Sequence, residues 1–187
     1  RVAPFLIGAG ISAMVFGLLY GEAFGPTGLV PTLVSGDLSI WDSLAICEYI
    51  AEQHPELNCW PEDVQARAIA RSISNEMHSG FSQIRNTLPM NIRRNKAIDT
   101  ISADLAKEIG RVCEIWKTCR QFYAGGGNFL FGRFTIADVM YAPVVLRFKS
   151  YLTIAWNSTC WLDCGASGVR SVQRISVKSS GPAWRGV

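Results

Sequence analysis

Histidine is nearly absent from this chain: His54 and His78 are the only two in 187 residues, and neither stands close in sequence to a cysteine pair. A mixed Cys/His zinc centre is therefore poorly supported, and no metal is expected. The six cysteines, at 47, 59, 113, 119, 160 and 164, are scattered rather than spaced as a disulfide framework. That favours thiols in a reducing, cytoplasmic setting, with Cys160-x-x-x-Cys164 too isolated to argue for a metal. A field of one sign is also missing from the middle of the chain. The net charge is +3, but residues 26–151 sum to zero, and the excess sits on Arg170, Arg174, Lys178 and Arg185 against Asp163. A neutral middle offers no surface for nucleic acid.

Charge is absent altogether from Val2 to Gly21, a run close to the ~20 apolar residues that span a bilayer. Pro4, Gly8, Gly10, Gly17 and Gly21 weaken a helix in water but are tolerated in lipid, so a membrane association, if there is one, would run through residues 2–21. A cleavable leader has little support, since Arg1 gives a thin positive region and no small-x-small site precedes Glu22. The first residue is not Met, which suggests a fragment. From Leu152 onward neither a 3.6 nor a 2.0 period is sustained, so residues 152–187 are expected to be a poorly ordered tail. The abrupt loss of periodicity at both edges also fits a shifted or fused reading frame.

What is present lies between these ends, where 49% hydrophobic residues over the whole chain suffice to bury a core. Val30 to Val34 and Leu38 to Ile40 flank Ser35-Gly36-Asp37, in which glycine supplies the positive φ of a tight hairpin. Asp42 and Ser43 then open a helix with an apolar set at Leu44, Ile46, Cys47 and Ile50, and His54-Pro55 stops it. Pro55 to Asp63, with Trp60, reads as a linker. A long helix follows, its apolar residues Ile69, Ile73, Met77, Phe81, Ile84 and Leu88 spaced in threes and fours until Pro89. A second runs through Ile98, Ile101, Leu105, Ile109, Val112, Trp116 and Cys119 and closes at Gly125-Gly126-Gly127. Phe134-Thr135-Ile136-Ala137-Asp138-Val139 predicts a reciprocal cap: the Thr135 hydroxyl takes the Asp138 amide, the Asp138 carboxylate takes the Thr135 amide, and Phe134 packs on Val139. The apolar stretch after it predicts a central buried helix, bent near Pro143.

The chemistry concentrates in the first part of this middle region. A Val-Pro peptide opening a strand has an appreciable chance of being cis, which turns the N–H and C=O of Val30 outward to meet an extended peptide. The free amides at the start of the Asp42-Ser43 helix, with the Ser43 hydroxyl, suit a carboxylate, and Asp42 suits an ammonium. Taken singly, Val30-Pro31 also reads as an ordinary edge-strand turn and Asp42-Ser43 as an ordinary helix cap. Together they describe a site for a small peptide with an amino-acid-like head.

Five stretches now carry a resemblance. They are Pro26-Thr27-Gly28-Leu29-Val30-Pro31, Trp41-Asp42-Ser43-Leu44-Ala45-Ile46-Cys47-Glu48-Tyr49, Glu76-Met77-His78-Ser79-Gly80-Phe81, Leu88-Pro89-Met90-Asn91-Ile92-Arg93-Arg94, and the run from Phe134 to Pro143. In that order, across residues 26–151, the chain resembles a bacterial cytosolic glutathione S-transferase. The resemblance implies a mainly α fold: residues 26–54 a truncated α/β, thioredoxin-like portion (β-hairpin plus helix), and residues 63–151 the all-helical C-terminal domain. It further implies that Val30 offers its main chain to the cysteinyl part of glutathione, that Pro31 is cis, and that Asp42 and Ser43 hold the γ-glutamyl end. His78 and Arg85 would face a pocket for a small electrophile, and Thr135 with Asp138 would cap the helical domain as a folding element. Glutathione would be co-substrate, the protein a cytoplasmic homodimer, and the activity conjugation of glutathione to that electrophile. The alternative is a non-catalytic glutathione-binding or helical interaction module.

One part of the family pattern is missing. The family's thiolate-stabilising Tyr, Ser or Cys follows the first strand of a strand-helix-strand-helix unit, and the 25 residues before Pro26 do not show that unit. Ser12 and Tyr20 are the hydroxyls available there, both inside the apolar run, and the catalytic residue is left unassigned.

Overall fold

The computed structural model describes residues 27–91, 93 and 98–151. The apolar run Val2–Gly21 with Ser12 and Tyr20, and the expected tail 152–187 with Cys160 and Cys164, lie outside the described residues. The chain divides into two compact units, so that residues 27–57 fall in one and residues 58–151 in the other.

In the first unit β1 (Thr32–Ser35) pairs antiparallel with β2 (Leu38–Trp41), Thr32 opposite Trp41 and Ser35 opposite Leu38. Gly36 and Asp37 form the two-residue loop. Gly36 takes φ 60 and Asp37 keeps a negative φ, the pattern of a type II′ turn whose twist matches that of the strands. The first strand starts later than the apolar pattern suggests, because Pro31 has no N–H to give a ladder. Helix α1 (Ser43–Gln53) follows at once and ends at His54, after which Pro55–Leu57 make one 3-10 turn. No described residue of this unit is buried.

The second unit holds α2 (Val64–Ser79), α3 (Ser82–Thr87), α4 (Ala103–Tyr123) and α5 (Ile136–Tyr151). Helix α2 packs on α5 and α3 on α4. Ile73, Met77, Ile84, Leu88, Leu105, Val112, Trp116, Tyr141, Val144 and Phe148 form the core, and the Tyr141 hydroxyl donates to the Ile73 carbonyl at 3.1 Å. Trp116 meets Tyr141 edge-on at 5.9 Å between ring centroids, the geometry that the ring quadrupoles favour. The central buried helix expected after Phe134 is α5, with Pro143 inside it.

Three sequence expectations are revised by these elements. The long helix through Leu88 is two helices, because Gly80 ends α2 and Phe81 turns into the left-handed region at φ 57. The apolar spacing survives the break since Phe81 itself stays buried, whereas Ile69 is partly exposed. The second long helix begins only at Ala103, where the Ser102 hydroxyl accepts the Leu105 amide at 3.2 Å. Ile98 precedes it and donates its amide to the Tyr151 carbonyl instead. Trp60, read as linker, is buried with Pro61 in the helical unit. Its carbonyl takes Arg133, the neighbouring Cys59 carbonyl takes the Ile136 amide, and the Arg71 guanidinium lies 5.7 Å from its ring centre.

Charged side chains serve the helix ends around α3. Arg85 donates to the carbonyls of Met77, His78 and Gly80, the last turn of α2. The Glu108 carboxylate, from α4, accepts the Gln83 amide at 3.2 Å and the Ile84 amide at 2.9 Å. Arg147, from α5, donates to the carbonyls of Arg85 and Leu88. Helix termini leave such groups without intrahelical partners, and here each is met by a side chain from elsewhere in sequence. Cys47, Cys59 and Cys119 form no disulfide.

Candidate functional site

The residues singled out for ligand binding lie on one short stretch of the first unit. Gly28 has φ 63, the Thr27 hydroxyl accepts the Leu29 amide at 3.3 Å, and the Thr32 hydroxyl donates to the Leu29 carbonyl at 3.4 Å. These bonds hold the approach to Val30 and Pro31, whose peptide is cis. Both residues precede the first strand pair, Thr32 with Trp41.

Past the hairpin, Asp42 takes φ 76, a conformation that costs a non-glycine residue of order 1–3 kcal/mol. In that conformation its Oδ1 accepts the amides of Leu44 at 2.8 Å and Ala45 at 3.3 Å, and its carbonyl accepts the Ile46 amide at 3.0 Å. Asp42 is thus the cap of α1, and a negative charge stands at the helix's positive end. Ser43, half-buried, is the first residue of the helix. The structure therefore brings Val30, Pro31, Asp42 and Ser43 onto one hairpin-and-helix unit, with two of the helix amides already taken by the Asp42 side chain.

The other predicted residues lie in the second unit. His78 is exposed in the last turn of α2, and the Arg85 guanidinium is turned onto that same turn's carbonyls. Thr135 and Asp138 meet as expected in one respect: Asp138 Oδ2 accepts the Thr135 amide at 2.9 Å. In the other respect the cap runs the opposite way. The Thr135 hydroxyl donates to Oδ2 at 3.0 Å, and the Asp138 amide goes to the Thr135 carbonyl. The Phe134 ring stands edge-on to Phe129 at 5.3 Å. The reason for the reversed cap lies in burial. Asp138 is 6% exposed, a buried carboxylate needs donors, and it collects a third from the Leu130 amide at 3.0 Å. Burial still pushes its carboxyl above the usual aspartate range, against the hydrogen bonds from Leu130 and Thr135 that pull it down.

Sequence reasoning missed Glu108 and Arg147, which hold the ends of α3. Their partners lie 24 or more residues away, so no local spacing announces them. Among the described residues no group of His, Cys, Asp and Glu has the arrangement of a metal site, and no helix is long and apolar enough to cross a membrane.

Residues 20–58, which contain Val30, Pro31, Asp42 and Ser43, match the family model described as the glutathione S-transferase N-terminal domain. The chain is 34% identical over 103 residues to glutathione S-transferase 1 of Dianthus caryophyllus, covering 51% of this chain and 47% of that protein. It is 38% identical over 75 residues to a probable maleylacetoacetate isomerase of Caenorhabditis elegans, covering 40% of this chain and 35% of that one. The chain thus spans about half the length, or less, of the curated relatives it matches first. Among solved structures it is similar in fold to the theta class glutathione S-transferase of Xanthomonas axonopodis pv. citri with glutathione bound. That likeness has a TM-score of 0.56 at 23% identity and covers 87% of this chain and 77% of the other.

Proposed function

We propose, from the premise that this chain belongs to the glutathione S-transferase family, that its hairpin-and-helix unit binds glutathione for transfer to a small electrophile. The observation that carries the reading is Asp42, held at φ 76 as cap of α1 with Ser43 directly behind it. In this reading the Ser43 amide and hydroxyl at the helix opening receive the γ-glutamyl carboxylate. The Asp42 charge faces the ammonium, and the main chain of Val30 pairs with the cysteinyl part. The thiolate-activating hydroxyl is assigned to no residue of this chain. The electrophile would lie against residues of the helical unit, with His78 as the exposed candidate and Arg85 positioned by its own helix contacts. A homodimer is part of the same proposal. Relatives named for maleylacetoacetate isomerase and for the zeta class support a second reading of the chemistry, isomerisation that uses glutathione without consuming it.

Calorimetric titration of the full chain with glutathione tests the binding step. Ser43→Ala is expected to weaken it about tenfold, the worth of one hydrogen bond to a charged group, while far-ultraviolet circular dichroism stays unchanged. Asp42→Asn, which keeps a side-chain oxygen for the cap, separates the ammonium contact from the folding of α1. No binding by the folded chain, or equal binding by Ser43→Ala, overturns the site. Conjugation and isomerisation assays then decide the reaction, and turnover at background in both overturns the enzyme reading for this chain.

A further inference from the structure

Helix α3 stands apart from its neighbours in how it is held. It has six residues, too few to persist in water on its own propensity. Its N-cap, Phe81, makes no side-chain cap bond and is a buried aromatic residue in the left-handed region, φ 57 and ψ 46. Aromatic residues rarely adopt that conformation, so the joint between α2 and α3 stores backbone strain. The orphan amides at the start of α3 are met by Glu108 from α4, and the carbonyls of Arg85 and Leu88 by Arg147 from α5. What holds α3 shut is thus a set of charge-assisted bonds from other elements, plus the buried side chains of Phe81, Ile84 and Leu88. Arg85 of α3 in turn donates to the carbonyls of Met77, His78 and Gly80 in α2, whereas the Tyr141 to Ile73 bond between α5 and α2 involves no residue of α3.

We propose that α3 opens as a local unit, with Gly80-Phe81 as its hinge and the Glu108 carboxylate as its latch, uncovering an apolar surface beneath it while α2 and α5 remain packed. Opening relieves the left-handed turn at Phe81 and exposes the underside of Phe81, Ile84 and Leu88. The device is independent of glutathione, and it gives the helical unit a second, open form.

Native-state hydrogen exchange on the full chain, followed residue by residue in low denaturant, tests this. Amides of Arg85 to Leu88 are expected to exchange through an opening more populated, and less denaturant-dependent, than the one that releases the interior of α5. Tyr141→Phe removes a bond that the open form keeps. It should speed exchange in α5 about fivefold and leave α3 unchanged. Glu108→Gln keeps an acceptor but removes the charge, and should speed α3 exchange about tenfold. A single exchange free energy shared by α3 and α5 in the unmodified chain overturns the proposal. So does an equal acceleration of both helices by Tyr141→Phe, or exchange of α3 that Glu108→Gln leaves unaltered.

Discussion

Asp138 shows how one residue can be both fastened and uneasy. Three donors reach its carboxylate, from Leu130 and Thr135, yet burial prevails and raises its pKa above the ordinary aspartate value. A carboxyl shifted upward by folding contributes stability that is fully present below its unfolded value and is lost as pH rises through its folded value. Asp138→Asn cannot titrate, and its single oxygen leaves one buried donor unmet, a cost of about 1–3 kcal/mol at neutral pH. The gap in unfolding free energy between the original chain and Asp138→Asn is therefore expected to widen as pH falls from 7 through the carboxylate range. Urea titrations at successive pH values measure it; a gap that narrows on acidification would mean that the ionised form is the one the fold prefers. Asp42 is the contrasting case, exposed, with its conformation rather than its burial out of the ordinary.

Between elements, backbone fit outweighs surface charge. Gly132 sits at φ 81, and a Cβ there would fall 2.7 Å from the Ala124 carbonyl oxygen at the end of α4. Arg111 ties α4 to α2 through a two-pronged bond to Glu76, 2.7 and 2.9 Å, and reaches Glu114 as well, but its side chain is 47% exposed. Gly132→Ala is expected to cost about 1–3 kcal/mol and Arg111→Ala less than about 1 kcal/mol, although the second abolishes the bonds to both glutamates and the first abolishes none. Thermal unfolding of the two variants ranks them, and the opposite order would mean that the exposed ion pairs outweigh the strained turn. The same distinction governs what the sequence disclosed. The hairpin, α1 with its Asp42 cap, the interior of α4 and the start of α5 follow from spacing, glycine and cap residues, all local signals. The break at Gly80-Phe81 did not follow, because Phe81 keeps the apolar step of a continuous helix while Glu108, which takes the amides of Gln83 and Ile84, is brought there by tertiary contact. Trp60 looked like linker for a similar reason: its packing is decided by Arg71 and Arg133, the latter 73 residues away.

For the whole molecule, the mainly α fold with a two-stranded sheet was legible, and so were the four residues of the candidate site as neighbours on one unit. The assignment of Asp42 Oδ1 to the helix was legible only as one of two alternatives, since a cap and a ligand group use the same side-chain oxygen. The two units also differ in their means of support, the helical one holding the buried core and the hairpin unit burying none of its described residues. In the helical unit the corner around Asp138 has one more consequence, in time rather than in energy. Its bonds span 3 and 8 residues, whereas Tyr141 reaches Ile73 across 68. Short loops close at lower entropic cost and hence earlier, so this corner is expected to be formed when the chain crosses its folding barrier and the Tyr141 bond to form afterwards. Stopped-flow refolding should then find that Asp138→Asn mainly slows folding and Tyr141→Phe mainly hastens unfolding, and the reverse partition would exclude that order. The loop ahead of α5 would thereby act as the clock of the helical unit, setting how quickly a newly made chain hides its apolar surface.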